Sequence, residues 1–173
     1  LGNVLVGQHR FSEAISHYQQ ALRINPDSAE THHRLATLWL AQGQTQPALA
    51  HWREAVRLQP DNVPLLLQVA WVLATSPNTA VRNGGHAVAL AERAARLVGT
   101  PTTAVLDVLA AAYAEAGRFP EAAQTVQQAL ALIPEQTNAA AADALRSRLK
   151  LYQAGAAFRE SKPAEGGPQD HPP

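Results

Sequence analysis

The chain has 173 residues, with 14 basic and 14 acidic side chains, seven histidines and no cysteine. Balanced charge lacks the basic footprint that phosphate backbones demand, so no nucleic-acid partner is expected, and it equally disfavours electrostatic attachment to a membrane. Without cysteine there is no disulfide framework or thiolate chemistry. No apolar run approaches the ~20 residues that cross a bilayer, so no direct membrane insertion is expected. The compartment is left open.

Taken in chain order, residues 1–8 read as the second half of a helix and 12–24 as its partner, with Ser12 as the N-cap. His9, Arg10 and Phe11 stand in the turn between them. Residues 29–60 form a complete helix–turn–helix unit. Leu35, Leu38 and Trp39 lie three and four apart and share one face, with Ala36 as a small neighbour. Gly43 supplies the left-handed turn. Ala48, Trp52, Ala55 and Leu58 repeat the spacing, Pro47 stands near the front of the second helix, and Pro60 stops it. Each helix has about 12 residues and a length of about 18 Å, and neither buries its apolar face alone.

The next predicted helix, 64–75, carries two apolar stripes: Leu66, Val69, Ala70 and Leu73 on one side, Leu67, Trp71 and Ala74 on another. Such a helix is covered on both sides or exposes one for a ligand. Pro77, Asn78, Asn83, Gly84 and Gly85 mark a loop over 75–85, and a helix is expected over 86–98. Leu106, Leu109, Ala110 and Tyr113, then Gly117, then Ala122, Val126 and Ala129 describe a further regular pair. A last helix over 138–154 presents Leu145, Leu149 and Tyr152, carries Arg146, Arg148 and Lys150 toward its C-terminal end, and covers the last apolar face. Beyond Gly155 the composition turns to Gly, Pro, Glu and Gln, and a disordered tail is expected over 156–173.

Ala48, Trp52, Ala55 and Pro60 repeat Ala14, Tyr18, Ala21 and Pro26 at a period of 34 residues. In this the chain resembles the tetratricopeptide repeat (TPR) family. The family's small first-helix residue falls on Gly2, Ala36, Ala70 and Ala110, and its second-helix alanines on Ala14/Ala21, Ala48/Ala55, Ala87/Ala94 and Ala122/Ala129. The closing proline falls on Pro26, Pro60 and Pro134, with Gly99 in the third copy. From Ala48 to Ala87 the spacing is 39, so the third copy carries five extra residues in its loop. The resemblance implies an all-α, right-handed solenoid of stacked antiparallel helix pairs with a C-terminal capping helix. Its units are a partial repeat over 1–28, repeats over 29–62, 63–102 and 103–136, a cap over 137–155 and the tail. The stretches Leu73 to Pro77 with Arg82-Asn83-Gly84, and Leu151-Tyr152 through Arg159-Glu160, resemble the closing block of many bacterial TPR proteins. There the block follows further repeats, and sometimes a glycosyltransferase-like catalytic region. The chain has no methionine and starts within a repeat, so it is expected to be part of a longer protein.

No phosphate loop, dinucleotide fingerprint, zinc-protease helix or nucleophile elbow is present. His32 and His33 are adjacent and point about 100° apart on a helix. His17 and His51 occupy equivalent places in successive second helices, roughly 8–10 Å apart, too far for joint ligation without a third group. No metal, cofactor or catalytic residue is expected. Asp107 and Glu115, two turns apart, are too distant for a concerted acid–base pair.

In the TPR family the first helices line the concave face. That implies a groove formed by His33, Arg34, Thr37, Leu67, Gln68, Trp71, Asp107, Val108 and Ala111, in which Trp71 either serves with Leu67 as an apolar anchor or packs under its own long loop or against the next helix. The family's carboxylate clamp uses lysine and asparagine there. Here His33, Thr37, Leu67 and Trp71 stand at the matching places, so that ligand is not expected. The expected function is a non-enzymatic scaffold that binds a protein or peptide partner. Two alternatives are an accessory domain of a larger enzyme and self-association through the N-terminal face.

Overall fold

The computed structural model describes residues 2–8, 10–133 and 139–160. These form α1 (Gly2–Gly7), α2 (Phe11–Ile24), α3 (Ala29–Ala41), α4 (Thr45–Leu58), α5 (Val63–Thr75), α6 (Gly84–Val98), α7 (Thr103–Glu115), α8 (Phe119–Ala131) and α9 (Ala139–Gln153). The turn position His9, the closing Pro134, Asn138 and the tail beyond residue 160 lie outside the described residues.

Local chemistry sets most boundaries. Ser28, Asn62, Asn83 and Thr102 cap α3, α5, α6 and α7, each side chain accepting from a backbone N–H three residues on. Helix α4 follows Gln44 without a side-chain cap bond, and two further helices start otherwise. Arg10 and Arg118 hold the cap positions of α2 and α8 without a side-chain cap bond, and they pair with Glu13 and Glu121 in the first turns at 2.6 and 3.0 Å. Ser12 is therefore inside α2 and not its N-cap. The Arg-Phe-x-Glu sequence draws the acid back toward the positive helix end and starts the helix a residue earlier. Helix α6 likewise begins at Gly84, two residues before the expected 86, because Asn83 accepts from His86 N at 2.9 Å.

Asn25, in extended backbone, and Gln59 precede Pro26 and Pro60 and end α2 and α4. Gly43 and Gly117 turn the chain at φ +73° and +77°. At Gly84 the constraint is space. A Cβ there would lie 2.5 Å from the backbone nitrogen of Ala116. Gly84→Ala is therefore expected to force α6 off the turn after α7 and cost about 1–3 kcal/mol, as overpacking does. A denaturant titration checks this.

The helix pairs stack into an all-α solenoid. Helix α5 lies closely against α7, whereas α6 and α8 make no such contact, so in the third and fourth repeats the odd-numbered helices take the inner side of the stack. Alanine permits the close approach: Ala110, Ala111 and Ala112 of α7 are all buried. Between the second and third repeats the backbones stand further apart, because the seam is filled by Trp39, Trp52 and Leu65. Helix α9 closes the far end, burying Leu145 and Tyr152 over Val126 and Ala129 of α8. No described helix is long and apolar enough to cross a membrane.

Candidate binding groove

The wide seam opens the inner face on its N-terminal side. A cavity of about 400 Å³ lies between α3 and α5, lined by Glu30, His33, Asn62, Gln68 and their neighbours. A second, of about 270 Å³, adjoins it and shares Glu30, His33 and Gln68, adding Arg34, Thr37 and Tyr18. The wall is polar and both signs of charge are present. Arg34 is held over the helix by Glu30 at 2.6 Å, and Thr37 donates to the backbone oxygen of His33. Burial, then the Arg34 charge, hold the His33 imidazole below its usual range, against a hydrogen bond with Gln68.

The C-terminal half of the same face is built differently. Gly155, at φ +71°, releases the chain from α9, and residues 156–160 run without helical structure to α5, where Glu160 N donates to Thr75 O at 3.0 Å. Phe158 lies beside Trp71, ring centres 5.9 Å apart. The Arg148 guanidinium stands 5.0 Å from the Trp71 ring and 4.8 Å from that of Phe158. Trp71 Nε1 donates to Glu160 Oε1 at 2.6 Å. The stretch 156–160 belongs to the tail expected to be disordered. It is ordered here because the second apolar stripe of α5, with Trp71 and Ala74, offers it a surface.

Two acids anchor this half. Arg148 donates to Asp107 at 2.5 Å, both side chains largely buried. Burial pushes the Asp107 carboxyl above its usual range, against the pull of Arg148, and burial followed by the Asp107 charge pushes the Tyr152 phenol upward. Glu115 is held from two sides: Arg82 of the inserted loop lies 3.1 Å from Oε1 and Arg159 lies 2.6 Å from Oε2. Arg82 also donates to Ser76 O at 2.9 Å, which shapes the loop.

The expected groove residues thus fall into two groups. His33, Arg34, Thr37 and Gln68 meet around the open cavities. Trp71 and Asp107 meet through Arg148 and are covered. Leu67 and Val108 pack against the core, half-buried, and Ala111 is buried at the close contact of α5 with α7. Arg82, Arg148, Phe158, Arg159 and Glu160 carried no site role in the sequence, and Glu115, expected as a solvated groove or rim residue, is only 13% exposed. The signal for some of them was there: Arg82 and Arg159-Glu160 belong to the two stretches that resemble a closing TPR block, and Arg82 and Arg159 meet on Glu115.

The histidines pair differently from the repeat spacing. His51 meets His32, with Nδ1 atoms 2.9 Å apart. His32 Nε2 lies 2.9 Å from Pro26 O, which can only accept, so Nε2 carries hydrogen. Only one of the two facing Nδ1 atoms can carry a hydrogen, so the pair has no room for a second charge. Among the described residues no three metal-ligating side chains come together. Burial first, then the charge of His32, lowers the His51 pKa, and burial also lowers those of His33 and His86. A depressed imidazole favours the neutral folded state. Its contribution is complete above the unfolded value of about 6.5 and is lost as pH falls through the folded one. The melting temperature is expected to drop between pH 7.5 and 5.5, and His51→Asn to flatten that slope; melting across the pH series measures both.

Stacked antiparallel helix pairs of this kind define a helical-repeat interaction scaffold. The chain belongs to the tetratricopeptide repeat family: two family models, each described as tetratricopeptide repeat, match residues 5–70 and 105–140, together more than half of its length. The unmatched stretch between them holds Trp71, the inserted loop and α6, where the extra residues break the repeat spacing. A comparison with curated proteins finds no match. Among solved structures the chain is similar to MamA, with TM-score 0.62, 17% identity and coverage of 90% of this chain and 88% of that one. It is also similar to PilW, described as a widely conserved type IV pilus biogenesis factor, with TM-score 0.64, 16% identity and coverage of 89% and 75%. Such likeness shows a shared fold. Tetratricopeptide repeats are, as a family, protein-interaction modules.

Proposed function

We propose that the chain is a non-enzymatic interaction module that holds an extended peptide or a partner helix against its concave face, entering at the open half between α3 and α5. The observation that carries this is the pair of adjoining cavities, about 400 and 270 Å³, on the inner face, uncovered by any described part of the chain. Glu30, Gln68 and Asn62 offer acceptors, and Arg34, His33, Gln68 and Asn62 offer donors. An extended backbone, with both on every residue, needs both. The wide tryptophan-filled seam keeps this half open, so little reorganisation opposes binding.

Selection of displayed peptides on the chain tests this. Ligands so obtained are expected to lose at least tenfold in affinity, about 1.4 kcal/mol, in a His33→Ala, Gln68→Ala double variant. They should be unaffected by Arg96→Ala on the exposed outer helix α6. Ligands that respond to the α6 change and ignore the groove change would overturn the reading.

A further inference from the structure

We propose that the C-terminal half of the groove is a receptor for an aromatic–arginine–acid segment, and that Phe158-Arg159-Glu160 is its internal occupant, which a partner segment of the same chemistry displaces. This rests on the groove reading above and deepens it by naming the chemistry of one ligand.

Three observations carry it. First, the segment lies against the edge of the core as a bound peptide does, with Ala157 and Phe158 packed on it. It has no helical structure, and among the described residues its one backbone hydrogen bond to the repeats is Glu160 N to Thr75 O. Arg159 and Glu160 are exposed and Phe158 is half-buried, in contrast to the nearby Tyr152, which is 1% exposed.

Second, each of its side chains meets a group that asks for that residue type. The Phe158 ring stacks beside Trp71 and under Arg148. The Arg159 guanidinium reaches Glu115 Oε2 at 2.6 Å and Ala74 O at 3.3 Å. The Glu160 carboxylate accepts from Trp71 Nε1 at 2.6 Å.

Third, the receiving groups are held by the repeats themselves. Arg82 fixes Glu115 at 3.1 Å and Asp107 fixes Arg148 at 2.5 Å. With the segment gone, Glu115 Oε2 and the Trp71 N–H keep their places and lose these partners. A buried carboxylate oxygen facing an unmet need for a cation, beside an indole donor and an aromatic platform, is a preorganised site.

The test uses a labelled, end-blocked peptide with the sequence of residues 155–160. It is titrated into the chain as it stands and into a variant with Phe158→Ala, Arg159→Ala and Glu160→Ala. The emptied variant is expected to bind the peptide. The unmodified chain is expected to bind it about tenfold more weakly or worse, because the tethered segment competes at an effective concentration on the order of millimolar. Adding Trp71→Phe, which removes the indole N–H and the five-membered ring but keeps a six-membered aromatic ring, is expected to weaken the peptide; His33→Ala is not.

If the triple variant melts early, Arg159→Ala alone replaces it, with a smaller gain expected in the same direction. A folded, emptied chain that ignores the peptide overturns the proposal and makes 156–160 a fixed part of the fold. Equal binding to both chains, or indifference to Trp71→Phe, overturns it too. Ligands of the open half respond to His33→Ala instead, so a failure of either reading is recognised separately.

Discussion

Leu66→Ala is expected to lower stability by about 3 kcal/mol, within the range for emptying a fully buried leucine site, and to lower the melting temperature by roughly 6–12 °C for a chain of this size. Leu66 is fully buried in one cluster of apolar side chains that runs from α3 to α7 and includes Ala36, Trp52, Val69 and Ala112. Alanine leaves a hole the tryptophan-propped seam cannot close, since Trp39 and Trp52 already set how far the helices stand apart. A repeat array is coupled only through nearest neighbours. Weakening the seam between the second and third repeats should therefore also broaden the unfolding transition. Leu66→Met, which keeps the volume, is expected to cost less than about 1.5 kcal/mol. Thermal melts and urea titrations check both. A Leu66→Ala loss no larger than that of Leu132→Ala, at a site 51% exposed, would sink the packing account.

Glu115→Ala is the second large effect, expected at about 3 kcal/mol because it leaves the largely buried Arg82 without its counter-charge. The Glu115 and Arg82 side chains are 13% and 17% exposed, so solvent does little to replace the lost partner. Two segments are released together: the inserted loop, tied through Arg82, and residues 156–160, tied through Arg159. Hydrogen exchange is expected to rise in both, while α3 and α4 stay protected. Glu115→Gln keeps the shape and one acceptor and should cost less. If the loop and residues 156–160 kept their protection in a folded Glu115→Ala chain, Glu115 would not be the tie between them.

The repeat architecture was legible because its determinants are local. The 34-residue recurrence, the glycine turns at Gly43 and Gly117, and caps such as Ser28 and Asn62 act within a few residues of where they stand. The Arg-Phe-x-Glu starts were equally local and were missed only because serine at position 12 is the commoner cap. The covered half of the groove is another matter. Asp107 and Arg148 are 41 residues apart, and Trp71 and Glu160 are 89 apart. No periodicity links such pairs, and the Ala-Ala-Phe-Arg-Glu stretch after Gly155 has none of its own. Its order comes from α5 and α7. Similarly, the inner-face rule finds Ala111 but not its burial, which follows from how closely alanine lets α5 and α7 approach. The His32–His51 contact depends on the angle at which α3 meets α4 rather than on the repeat that relates His17 to His51.

The most direct measurement is amide hydrogen exchange of the chain with and without a selected peptide ligand. New protection is expected around the open cavities, in α3 and the first turns of α5, with α6 and α8 unchanged. Protection confined to the outer helices α4, α6 and α8 would contradict it, and would place the binding surface on the convex side.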